Sequence, residues 1–128
     1  MKAKINMIGI FTDDIEPMKK FYHEVLGFEI SNDLGVYVEF KNEGVRLAIC
    51  LKTVMYNMDD DYKVKAKGQR FELAFECESV EDVDATYQQL IAKGAVQVHS
   101  PENMPWGQRT AMFADPDGNY HEIFVTLD

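Results

Sequence analysis

The sequence predicts an α+β fold made of two βαβββ modules, and three observations lead there. Apolar patterns run strand, helix, three strands, then a connector, then strand, helix and three strands again. Both helix-patterned stretches end on a glycine, Gly27 in the first half and Gly94 in the second. A tight-turn glycine also stands four residues ahead of a matching strand position in each half, Gly44 before Ala48 and Gly118 before Glu122. A repeat of this kind lays one helix over one face of each sheet and leaves the other face curved around a hollow.

In the first half, the short apolar run at residues 5–11 reads as a strand. Thr12, Asp13 and Asp14 offer caps, and Glu16 and Pro17 suit a first helical turn. Ile15, Met18, Phe21, Tyr22, Val25 and Leu26 then recur at helical spacing. Residues 28–31, 35–40 and 45–51 read as three strands, the last two joined by the hairpin-like Lys41-Asn42-Glu43-Gly44. Residues 52–70 lose this rhythm and read as a connector with some apolar content.

The second half begins with the alternating run at 71–78, which sets Phe71, Leu73, Phe75 and Cys77 on one face and Glu72, Ala74 and Glu76 on the other. Ser79 is a good N-cap for a helix whose apolar stripe is Val80, Val83, Tyr87, Leu90 and Ile91. A short strand at 96–98 and a turn-rich loop at 100–105 follow. Two more strands flank Asp115-Pro116-Asp117-Gly118-Asn119, where proline presets φ and Gly118 supplies a positive one.

A chain of 128 residues is one domain's worth, divided here into a first module over about 1–52, a connector over about 53–69 and a second module over about 70–128. Apolar content of 46% with 27% charge argues against disorder. A net charge of −9 disfavours nucleic acid and an anionic membrane as partners, since phosphate binding needs a basic face, and it is compatible with a cationic ligand. No apolar run approaches the length of a membrane span, and the first residues lack a signal-peptide core. Cys50 and Cys77 sit in apolar strand-like runs and read as free thiols in a reducing, cytoplasmic setting.

The chain resembles the vicinal oxygen chelate superfamily, which includes glyoxalase I, extradiol dioxygenases, fosfomycin-modifying enzymes and bleomycin-binding resistance proteins. Asp14, Phe21-Tyr22 and Leu26-Gly27-Phe28 carry the likeness in the first half. Trp106-Gly107-Gln108-Arg109, the Asp115–Asn119 turn and Glu122 carry it in the second. The resemblance implies paired modules whose cupped mixed sheets enclose a small-molecule cavity, often in a homodimer. It also implies that metal-binding members take their ligands at positions corresponding to Met7, Ala48, Glu72 and Glu122. Only Glu122 matches that pattern outright. Divalent Zn, Mn or Fe wants three or more imidazole or carboxylate groups, so no metal cofactor is expected, the alternative being a divalent ion weakly held at Glu122.

Glu122 follows the turn among Tyr120, Ile123 and Phe124, where a carboxylate either faces a cavity or reaches solvent. Should Glu72 approach it, one of the two has a raised pKa and the pair can do acid–base chemistry or bind a cation. Each could equally pair with Arg46, Arg109 or a lysine. Trp106 and Arg109 either cover the core and hold the Asp115–Asn119 turn or sit at the mouth of the hollow. Met7, Met55, Tyr56 and Met58 offer an adaptable apolar lining. With Phe11, Ala48, Cys50 and Tyr120 these complete the expected ligand-binding set. His121 points away from Glu122 on its strand, and Asp59-Asp60-Asp61 lacks the pattern of a calcium loop. The sequence thus favours metal-independent binding of a small cationic or amphipathic molecule. The alternative is a lyase, isomerase or dioxygenase using Glu122 and Glu72.

Overall fold

Strand β1 (Met7–Thr12) shows how the first half is built. Ile10 and Thr12 are buried, while Met7, Gly9 and Phe11 are exposed, so one face meets a core and the other does not. The computed structural model describes residues 1–128, which form two compact units, Met1–Lys67 and Gly68–Asp128. In the first unit α1 (Ile15–Lys20) follows β1. Asp14 does not cap it; instead the Thr12 hydroxyl accepts the Asp14 N–H at 3.1 Å. The expected regular helix then widens into a π turn at Phe21–Val25, closed by Leu26 N–H to Phe21 C=O at 3.0 Å. The extra residue in that turn lets neighbouring Phe21 and Tyr22 both enter the core.

Three strands complete the unit: β2 (Ile30–Asp33), β3 (Tyr37–Phe40) and β4 (Arg46–Leu51). The sheet order is β1-β4-β3-β2, with β1 parallel to β4 and the other pairs antiparallel. Its core packs Met18, Phe21 and Tyr22 against Val38, Phe40, Leu47 and Ile49, each burial contributing about 1.5–3 kcal/mol for the larger apolar side chains. The connector holds two single 3₁₀ turns, Lys52–Met55 and Asp60–Lys63.

The second unit repeats the plan with β5 (Ala74–Glu76), α2 (Val80–Ala92), β6 (Val96–Met104), β7 (Gln108–Ala114) and β8 (Tyr120–Thr126). Its order is β5-β8-β7-β6, again with the first strand parallel to the last. The Ser79 hydroxyl caps α2 by accepting the Asp82 N–H at 3.0 Å, as its position predicts. Val83, Tyr87 and Leu90 of the helix, with Ala111, Phe113 and Ile123 of the sheet, form the core.

Two strands differ in length from their sequence patterns. The run at 71–78 keeps only three residues in the ladder, because the Leu73 N–H turns to the His121 Nδ1 at 3.1 Å instead of to a strand carbonyl. The expected loop at 100–105 largely belongs to β6, which resumes pairing at Glu102↔Thr110 after irregularities that absorb Pro101.

The β7–β8 turn is held by one buried carboxylate. Asp115, 1% exposed, accepts the backbone N–H groups of Asp117 and Asn119 and the Asn119 side-chain amide at 2.8–3.0 Å. Asp115→Ala is expected to lower unfolding stability by about 3 kcal/mol, because three donors lose a charged acceptor. Urea denaturation checks this; a loss below about 0.5 kcal/mol, the level of an ordinary surface substitution, would show that the turn does not depend on Asp115.

Candidate functional site

Each sheet has one face packed under its helix and one face left open. In the first unit, Tyr22 of the helical segment lies 6.2 Å ring to ring from Phe40, which marks the covered face. The in-register pairs Met7↔Arg46, Gly9↔Ala48↔Glu39 and Phe11↔Cys50↔Tyr37 occupy the other face. Of the expected ligand-binding residues, Met7, Phe11, Ala48 and Cys50 therefore come together here.

Ala48 is nonetheless fully buried, and the reason lies across the strands. The Tyr37 hydroxyl of β3 reaches within 3.3 Å of the Met7 Sδ of β1 and donates to Glu39 Oε2 at 2.7 Å. Since β4 lies between β1 and β3, that reach carries the Tyr37 side chain over residue 48. The Arg46 guanidinium lies 3.3 Å from the same carboxylate and also donates to Asn6 Oδ1. Glu39 is held below its ordinary pKa, first by the Tyr37 hydrogen bond and then by the Arg46 charge. Burial, then the bond to Glu39, pushes the Tyr37 phenol up, so it keeps its proton. Sequence alone did not single out Tyr37 or Glu39. Their alternation along β3 marks a face, but only the register with β4 tells which.

Phe11 meets Tyr62 edge to face at 5.1 Å, so the connector folds back on β1. Cys50 is half-buried, and burial pushes its thiol up, which disfavours the thiolate. Met55 and Tyr56 lie in the connector, both half-buried, with the Lys63 ammonium 5.5 Å from the Tyr56 ring centre.

On the second sheet the open face carries Ala74, Glu76, Tyr120, Glu122 and Phe124, with Met112 and Thr110 paired opposite Glu122 and Phe124. Glu122 is half-buried, and its carboxyl titrates above the ordinary 4.5, first from burial and then from the charge of Glu72. Glu72 itself is exposed and lies just before β5, where Glu122 N–H to Leu73 C=O at 2.9 Å and Leu73 N–H to His121 fix its backbone. Thr110, 4% exposed, has an Oγ1 with no hydrogen-bond partner within the chain. His121 is fully buried on the opposite face, between Phe71 and Phe113, as the alternation of β8 requires.

Two expected roles are corrected. Arg109 does not hold the Asp115–Asn119 turn: it lies on the helix side, with Nε 2.8 Å from Asp84 of α2 and Nη1 donating to Asn103. Trp106 does not cover the core. It stands 63% exposed in the β6–β7 turn, its indole N–H donating to Gln108 Oε1 at 3.1 Å.

Nowhere do three or more His, Cys, Asp or Glu side chains gather into a possible ligand set. Met7 and Ala48, where the resemblance implies ligands on the first sheet, offer a thioether 3.3 Å from the Tyr37 hydroxyl and a buried methyl group.

A glyoxalase-like domain model matches residues 5–128. Among curated proteins, the uncharacterized protein YraH of Bacillus subtilis (strain 168) is 31% identical, over 97% of this chain and 99% of its own. Among solved structures, a glyoxalase/bleomycin resistance protein/dioxygenase from Nocardioides matches with a TM-score of 0.87 at 25% identity, over 100% of this chain and 86% of that one. A lactoylglutathione lyase from Agrobacterium tumefaciens shares the fold, with a TM-score of 0.76 at 23% identity over 98% and 95% of the two chains. With two βαβββ units and a family match across nearly its whole length, the chain belongs to the glyoxalase-like domain family of the vicinal oxygen chelate superfamily.

Proposed function

We propose that this protein binds a small cationic or amphipathic molecule without a metal, with Glu122 on the open face of the second sheet receiving the cationic group. The observation that carries this reading is a half-buried carboxylate kept among Tyr120, Phe124 and Met112, its pKa raised first by burial and then by the charge of Glu72. Such an arrangement costs the free protein stability, and a bound cation relieves both the desolvation and the repulsion. Aromatic neighbours add cation–π attraction. The net charge of −9 draws cations toward the chain. No helix is long and apolar enough to cross a membrane. A cytoplasmic location and a homodimeric assembly belong to the same proposal.

A second reading is favoured by the same raised carboxyl: Glu122 as the general base of a lyase or isomerase. Turnover of an α-hydroxy or α-keto substrate, lost on Glu122→Gln with binding retained, would favour it over binding alone.

Calorimetric titration with benzyltrimethylammonium and a bleomycin-type glycopeptide tests the binding reading. Glu122→Gln is expected to weaken cation affinity about tenfold or more, equivalent to about 1.4 kcal/mol. Equal affinity in wild type and variant, or no binding of any cation, would overturn it.

The same carboxylate predicts a stability change of known sign. Because Glu122 titrates above 4.5 in the fold, the folded chain holds more proton than the unfolded chain from about there up to the raised value. Stability therefore falls as pH rises through that window. At neutral pH Glu122→Gln is expected to melt higher than wild type, the difference vanishing once the pH is below 4.5. A lower melting point at neutral pH would show that the ionised carboxylate is a stabilising partner rather than a strained one.

A further inference from the structure

The open face of the first sheet carries a polar cluster to which the cation-binding reading assigns no role. Tyr37, Glu39, Arg46 and Asn6 are linked in one chain of hydrogen bonds, with Met7 at its edge. The Glu39 side chain is 17% exposed and that of Arg46 52%, so the cluster reaches from a half-buried phenol out to solvent. We propose that this cluster recognises a neutral hydroxyl group on an apolar molecule.

Three features select that chemistry. The single Tyr37 proton goes to Glu39, the stronger acceptor at 2.7 Å, so the phenol oxygen presents lone pairs to a ligand rather than a proton. Donation to a carboxylate polarises the phenol and makes that oxygen a better acceptor. A ligand hydroxyl donates to it, and its own oxygen accepts from Arg46, which has five donors and only part of them engaged by Glu39 and Asn6.

Charge then excludes the alternatives. Glu39 and Arg46 balance each other, so an ammonium gains no net attraction and meets the guanidinium. A carboxylate meets Glu39. A neutral group with both a donor and an acceptor fits. The apolar body has a place as well: in the same row of the sheet as Tyr37 lie Phe11 and Cys50, and Tyr62 packs on Phe11.

The test compares benzyl alcohol with toluene, which differ by the hydroxyl, by following the backbone amide NMR signals of Glu39, Ala48 and Cys50 in the intact protein. Wild type is expected to bind benzyl alcohol about fivefold more tightly, the worth of one neutral hydrogen bond. Tyr37→Phe removes the acceptor and should bring the two affinities together. Glu39→Gln keeps a hydrogen-bond partner for Tyr37, so the fold is retained, and should reduce the preference without abolishing it. Equal affinities in wild type, no response at these amides, or a preference that survives Tyr37→Phe would overturn the proposal. These signals come from the first sheet and cation binding is read at Glu122 on the second, so either reading can fail while the other stands.

Discussion

Parallel pairing of the first and last strands in each half is the constraint on which the rest depends. A strand can lie parallel to one that closes the same module only if the chain crosses over between them, and here a helix and two strands make that crossing. The pairing buries one face under the helix and sets the register of the other. It puts Ala48 beside Gly9 in one half and Glu122 beside Ala74 in the other. Two equivalent central positions thus carry opposite chemistry, a methyl group and a carboxylate.

The contrast follows from what covers each position. Over Ala48 passes the Tyr37 side chain on its way to Met7, and a side chain larger than alanine there would displace it. The space a ligating side chain would fill is already taken by a phenol tied to a carboxylate–guanidinium pair. At Glu122 no arginine or lysine answers the carboxylate, and its nearest charge effect is the repulsion of Glu72. The first sheet balances its charges internally, whereas the second leaves one half-buried carboxylate in tension. Tension of that kind is characteristic of sites that await a ligand.

Most of the fold was legible because it is written locally. Alternation marks strands, helical spacing marks helices, and Gly27, Gly94 and Gly118, all at positive φ, mark where the chain must turn. The lengths of β5 and β6 were not legible, since a buried histidine captures one backbone donor and a pair of irregularities extends the other strand. The candidate site was half legible. Glu122 and Glu72 stood out as charges in apolar runs, and the structure sets them close enough to interact. Tyr37 and Glu39 looked like ordinary alternating residues, and Arg46 read as a possible partner of Glu72 or Glu122 rather than of Glu39, because their meeting depends on strand order and cross-strand register. Arg109 and Trp106 were ambiguous for the same reason: face and partner are properties of the sheet, which one strand's sequence does not carry.

The proposed function is recognition of a small molecule without a metal. Equilibrium dialysis of purified protein against Zn²⁺, Mn²⁺, Fe²⁺ and Ni²⁺, followed by elemental analysis, tests it most directly. The donor chemistry of residues 7, 48, 72 and 122 predicts bound metal well below one equivalent per chain, unchanged in Glu122→Gln. One equivalent of any of these ions per chain, lost in Glu122→Gln, would contradict it.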